Sequence, residues 1–237
     1  ISPAGTASCS AADRDRLRSG PRHVRAPAVN DPVHQAADAA QRGEAVVLPT
    51  DTVYGVGTRP DDAAATARLF ALKGRPENLE LPVLVPSVGA ARTIAEFDER
   101  ASALAGRFWA GPLTLVLPRT ETSRAWELGG NEGTIGVRMP HHTLALAVLA
   151  YTGPLAVTSA NRSGKPTPST CEGVREVFGD GVAVYLCDAS PLGGAASTVV
   201  DLAHGEPRFL RVGALAADEV LSTLDGMQGG FGRKSEV

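Results

Sequence analysis

Long apolar runs are missing from this sequence. Nothing approaches the roughly 20 consecutive apolar residues a membrane span needs, and the most apolar region, 143–158, is cut by Gly153-Pro154. The chain therefore reads as soluble. Cysteine is scarce: Cys9, Cys171 and Cys187 are an odd number with no Cys-x-x-Cys pair. That suggests neither a disulfide framework nor a zinc site, and points to a reducing compartment such as the cytoplasm. Cys171 and Cys187 read as buried small residues. Aromatic residues make up only 5% of the chain, few surfaces for stacking bases, and Trp109 and Trp126 read as packing anchors. Excess positive charge is absent too. With 23 Lys and Arg against 26 Asp and Glu, the net charge is −3, which argues against a protein whose main task is gripping a nucleic-acid backbone. A local basic groove remains compatible with it.

Several catalytic signatures are absent as well. The nearest approach to a P-loop, Ser163-Gly164-Lys165, is followed by Pro166 rather than a hydroxyl residue. There is no Gly-x-Ser-x-Gly elbow. His141 and His142 are adjacent and lack the i, i+4 spacing of a helical zinc pair. Neither a covalent nucleophile nor a metal site is nominated.

What is present suits one α/β domain. A hydrophobic fraction of 43% with 21% charged residues, over 237 residues, is enough to bury a sizeable interior. Residues 1–30 have no apolar period and read as a flexible tail with five Arg. Asp31-Pro32 opens a helix, and further helices are expected over 61–73, 87–95, 98–108, 142–150, 170–178 and 216–224. Strands are expected over 45–48, 83–85, 113–117, 134–137, 155–158, 182–186, 198–202 and 208–212. The domain spans 31–225, with a second flexible tail over 226–237. Early alternation followed by successive strands predicts a mixed sheet.

Cations and hydroxyls gather at the predicted element ends. Lys73, Arg75, Arg138 and Arg211 can hold a polyphosphate by charge-assisted bonds, and Thr50, Thr52, Ser159, Ser163 and Ser197 can orient it. Plainer readings stand beside these. Lys73 and Arg75 could be favourable cations at a helix C-terminus, and Thr50 to Thr52 a strand-ending turn. Tyr54 could be core with its hydroxyl satisfied by backbone, Ser159 and Asn161 a capping turn, and Arg138 half of a structural salt bridge.

The stretches Leu48-Pro49-Thr50-Asp51-Thr52-Val53-Tyr54-Gly55-Val56-Gly57, Lys73-Gly74-Arg75-Pro76, Gly111-Pro112-Leu113-Thr114, Ser159-Ala160-Asn161 and the later Ser197 and Arg211, in this order, resemble the YrdC/Sua5 family of threonylcarbamoyl-AMP synthases in its short single-domain form. The resemblance covers about residues 33–224. It implies a twisted, open, mixed parallel and antiparallel sheet flanked by helices, with one large groove. It implies formation of threonylcarbamoyl-AMP and pyrophosphate from L-threonine, bicarbonate or CO2, and ATP with Mg2+, for the t6A modification of tRNA by a downstream threonylcarbamoyltransferase complex. Lys73 and Arg75 would be catalytic. Ser159, Asn161, Ser197 and Arg211 would seat the nucleotide, with Arg138 beside them, and Thr50, Thr52, Tyr54 and Thr114 would bind threonine. Leu84 stands where many members carry a His, so no imidazole role transfers. A weak tRNA or RNA contact is expected alongside these substrates. The rival reading is a non-catalytic RNA-binding module that uses the same groove and the Arg-containing tail to hold folded RNA.

Overall fold

The computed structural model describes residues 31–130 and 133–229. The expected tail over 1–30 lies outside these residues. The chain opens with α1 (Pro32–Gln41), β1 (Val46–Leu48), β2 (Gly55–Thr58) and α2 (Ala63–Lys73). β3 (Val83–Leu84), α3 (Val88–Ile94), α4 (Glu99–Phe108), β4 (Leu113–Pro118) and the single turn α5 (Glu121–Arg124) follow. Next come β5 (Thr134–Arg138), α6 (Thr143–Thr152), β6 (Leu155–Ser159), α7 (Cys171–Phe178), β7 (Val184–Tyr185), β8 (Thr198–Asp201), β9 (Arg208–Arg211) and α8 (Ala217–Gly229).

Helix starts are fixed locally. The side chains of Asp31, Asp62, Ser87, Asp98 and Thr170 each accept a bond from a first-turn amide, satisfying donors the helix itself leaves free at about 1 kcal/mol per cap. α8 runs past its expected end at 224 to Gly229. The stretch 226–229, expected as tail, is therefore helical, while 230–237 lie outside the described residues.

The strands form one sheet in the order β7-β1-β2-β6-β3-β5-β4-β8-β9. β1/β7, β3/β5 and β4/β8 pair parallel, and the other neighbours antiparallel. The sequence pattern does not predict β2, because Gly55 and Gly57 carry no β preference. Their small size is nonetheless required. A Cβ on Gly57 would sit 2.5 Å from the Ala156 carbonyl oxygen across the β2/β6 pair.

Alternation along the strands divides the interior between the two faces. Val47, Val83, Leu113, Leu115, Val137, Ala156 and Val200 join one cluster with Leu69, Leu104, Val174 and Val220. Val46, Leu48, Leu84, Leu155 and Val157 point the other way and pack with Val33, Ala36, Ala40, Val148 and Leu149 of α1 and α6. Those two helices cover only the first part of this second face. Further along it, Leu84, Thr114, Val116, Gly136 and Val199 floor an open groove.

One expectation about cysteine is overturned. Cys171 and Cys187 are joined in a disulfide, with Cα atoms 5.5 Å apart, and only Cys171 is buried. Sequence spacing concealed the pairing because α7 and the return through β7 bring together sulfurs separated by 16 positions.

Candidate functional site

The groove has a volume of about 330 Å³. Thr50, Thr52, Tyr54, Arg75, Thr114, Arg138, Ser159, Ser197 and Arg211, all singled out in the sequence, line it. They arrive from the β1–β2 loop, the end of α2, the strands β4 to β6, and the β8–β9 pair.

Arg138, at the end of β5 and 6% exposed, organises the first part. Its Nε donates to the Gly111 carbonyl (3.0 Å), Nη1 to Thr52 Oγ1 (2.9 Å) and Nη2 to Asp51 Oδ1 (2.6 Å). Thr52 Oγ1 lies 3.0 Å from Thr50 Oγ1, which donates to the Val53 carbonyl (2.6 Å). Arg138 is thus both a salt-bridge partner and a groove residue. Burial lowers the pKa of its guanidinium; Asp51 opposes that shift and Arg211 adds to it.

Thr114 and Ser197 meet from β4 and the start of β8, with hydroxyl oxygens 2.9 Å apart. Arg211 clasps the same serine, donating from Nε to its carbonyl (2.8 Å) and from Nη2 to its Oγ (3.1 Å). Burial also lowers the Arg211 pKa.

Lys73, the last residue of α2, sits beneath the rim rather than on it. It is 2% exposed and does not line the groove, contrary to its expected place on the groove surface. Gly74, in the left-handed conformation (φ 60°), ends the helix and turns the chain to Arg75. Lys73 Nζ donates to the Ser159 carbonyl and to Asn161 Oδ1 (3.3 Å), which also accepts from Ser159 Oγ (2.6 Å). Burial, and secondarily the charge of Arg75, lower the Lys73 pKa to about 8. Asn161, 9% exposed, likewise supports the loop, donating to the Arg162 carbonyl (2.9 Å). Arg75 is half-buried in the groove wall, its Nη2 donating to the Glu80 carbonyl (2.9 Å).

Tyr54 is 1% exposed, and its hydroxyl accepts from the Asp188 amide (3.0 Å). Its ring edges the groove while its oxygen holds the 186–197 loop. Sequence reasoning missed two carboxylates, Asp51 and Glu80. Glu80 lines the groove and pairs with Arg119 (3.1 Å), a residue 1% exposed. Burial raises its pKa to about 7 against the pull of Arg119. Neither pairing leaves a local sequence signal, since both partners come from distant segments. Leu84, at the position without imidazole, contributes apolar floor beside Pro82, Val116 and Val157. Among the described residues no group of three His, Cys, Asp or Glu could hold a metal ion.

Residues 38–213 match the Sua5_yciO_yrdC family, whose description reads "Telomere recombination". This chain belongs to that family. It is 41% identical over 191 residues to "Putative threonylcarbamoyl-AMP synthase" of Mycobacterium tuberculosis, covering 80% of this chain and 87% of the relative. It is 40% identical over 187 residues to threonylcarbamoyl-AMP synthase of Pyrococcus abyssi, covering 78% and 55%. The crystal structure of P. abyssi Sua5 complexed with L-threonine superposes with a TM-score of 0.74 at 36% identity, covering 81% of this chain and 57% of that one. The chain thus spans most of the mycobacterial relative and about half of the archaeal one. The mixed sheet flanked by helices is the fold of these Sua5/YrdC relatives. No helix among the described residues is long and apolar enough to cross a membrane.

Proposed function

We propose that this Sua5/YrdC protein is an L-threonylcarbamoyladenylate synthase, joining L-threonine, bicarbonate or CO2, and ATP into threonylcarbamoyl-AMP with release of pyrophosphate. One observation carries the assignment of the site. Arg75, Arg138 and Arg211 line a single groove with Lys73 just behind it, and like charges oppose one another in the pairs Lys73/Arg75 and Arg138/Arg211. Such a concentration of cations, two of them buried, is relieved by a polyanion.

The threonine amine takes up CO2 to give a carbamate, whose oxygen attacks the α-phosphorus of ATP. The α–β bridging oxygen then leaves with pyrophosphate. Arg75 and Lys73 stabilise the charge that develops on the phosphates. Ser159, Ser197 and Arg211 seat the nucleotide, Asn161 acting by holding the Ser159 loop, with Arg138 at the junction of the two substrates. Thr50, Thr52 and Thr114 offer hydroxyls to threonine, and Tyr54 shapes that end with its ring. Positioning of this kind needs no protein nucleophile.

Mg2+ fits as a companion of the triphosphate, neutralising charge on its oxygens. The groove presents cations and hydroxyls rather than a carboxylate cage, so phosphate oxygens and water would be its ligands. The product would pass in the cytoplasm to a threonylcarbamoyltransferase complex acting on tRNA, with RNA contact by this chain weak. The expected Arg-rich contact falls in 1–30, outside the described residues.

Pyrophosphate exchange into ATP tests the reading. Exchange that requires both threonine and bicarbonate is expected. Tight, salt-sensitive RNA binding without exchange would replace it with the RNA-module reading.

A further inference from the structure

The reaction above uses neither sulfur of the Cys171–Cys187 bridge, yet that bridge anchors a loop which borders the groove. We propose that this pair is a thiol–disulfide exchange site, reduced by a small or protein dithiol, which sets how firmly residues 186–197 are held against the threonine end of the groove.

Cys171 opens α7 and is buried, while Cys187 follows β7 and is exposed. The ten residues after Cys187, from Asp188 to Ser197, contain no sulfur. The bridge is therefore the single covalent cross-link on this loop. Within that span three of the loop's own amides also tie it down. The Asp188 amide donates to Tyr54 Oη (3.0 Å), the Leu192 amide to the Ser169 carbonyl (2.7 Å) and the Gly194 amide to the Thr52 carbonyl (3.2 Å). The Asp188 carboxylate adds a contact to the His142 ring (2.9 Å). The loop ends at Ser197, so its position bears on both ends of the site.

Exposure decides which sulfur reacts. A thiolate of the dithiol attacks Cys187 Sγ and forms a mixed disulfide. The Cys171–Cys187 bond breaks, and Cys171 leaves as a thiolate that takes a proton from water. The second thiol of the reagent displaces Cys187, so two electrons pass to the pair and the dithiol ends as a disulfide. Exchange with an oxidised dithiol runs the same steps backwards. The Arg175 guanidinium, 4.0 Å from Cys187 Sγ, favours a thiolate there and keeps the reduced pair reactive. In the reducing compartment that the proposed function implies, disulfides are usually of this transient, sensing kind.

The test uses the full chain in a C9S background, so that only this pair counts. Iodoacetamide under native conditions, followed by intact-mass measurement, should add no group to the untreated protein and at least one, on the exposed Cys187, after dithiothreitol. Hydrogen exchange across 186–197 should then speed up about tenfold on reduction, and the C171S/C187S double variant should match the reduced protein with or without dithiothreitol. Two alkyl groups without reductant, none after dithiothreitol, or loop exchange at the same rate in the two states would overturn the proposal. Neither readout uses ATP or threonine, so its failure is distinct from failure of the proposed reaction.

Discussion

Arg138 Nη2 donates to Asp51 Oδ1 across 2.6 Å, and both side chains are nearly withdrawn from water. This pair sets the end of the groove proposed to hold threonine, because the same guanidinium holds Thr52 and Gly111. Removing the carboxylate with Asp51→Ala leaves a buried cation without its partner. A loss of about 3–5 kcal/mol is expected in urea unfolding, with a smaller loss for Asp51→Asn, which retains an acceptor oxygen.

Lys73 and Arg75 separate in their effects. Arg75→Ala should abolish threonine-dependent pyrophosphate exchange with little change in melting temperature, since the side chain stands in the groove wall. Lys73→Ala should abolish exchange and also destabilise the fold by about 1–3 kcal/mol, because Nζ satisfies the Ser159 carbonyl and Asn161 Oδ1. Thermal melts run beside the exchange assay distinguish the two.

Stability should follow pH in two opposite limbs. The folded-state pKa of Glu80 is raised from 4.5 to about 7, so the native state holds an extra proton between these values. Its contribution is fully present below pH 4.5 and is lost as pH rises to about 7. Lys73 is lowered from 10.5 to about 8, so the unfolded state holds the extra proton there and stability rises over that range. Unfolding free energies measured from about pH 4 to about pH 10 should lose the first limb in Glu80→Gln.

Ser197→Ala removes the oxygen shared by Thr114 and Arg211. About 1 kcal/mol of stability should go with it, together with roughly tenfold weaker ATP binding by calorimetry as the Arg211 fork loses one anchor.

Gly194→Ala tests the loop contact without altering any polar side chain. The added Cβ would lie 2.5 Å from the Thr52 carbonyl oxygen, which must push the loop and the Thr50–Thr52 turn apart. Weaker threonine binding with near-normal ATP binding is the expected calorimetric result.

Much of this molecule is written locally in its sequence. Caps at Asp31, Asp62, Ser87, Asp98 and Thr170, apolar runs in β1, β4 and β6, and the motif residues around Thr50, Arg75, Ser159 and Ser197 depend on neighbours a few positions away. Propensity and periodicity read such features directly. Tertiary structure decided what depends on distant partners. It made a strand of Gly55–Thr58, because β6 approaches too closely for larger residues. It put Lys73 behind the rim by seating its ammonium on the Ser159 loop, paired Glu80 with Arg119, and joined Cys171 to Cys187. Burial and long-range pairing are properties of the folded chain, and no local pattern encodes them.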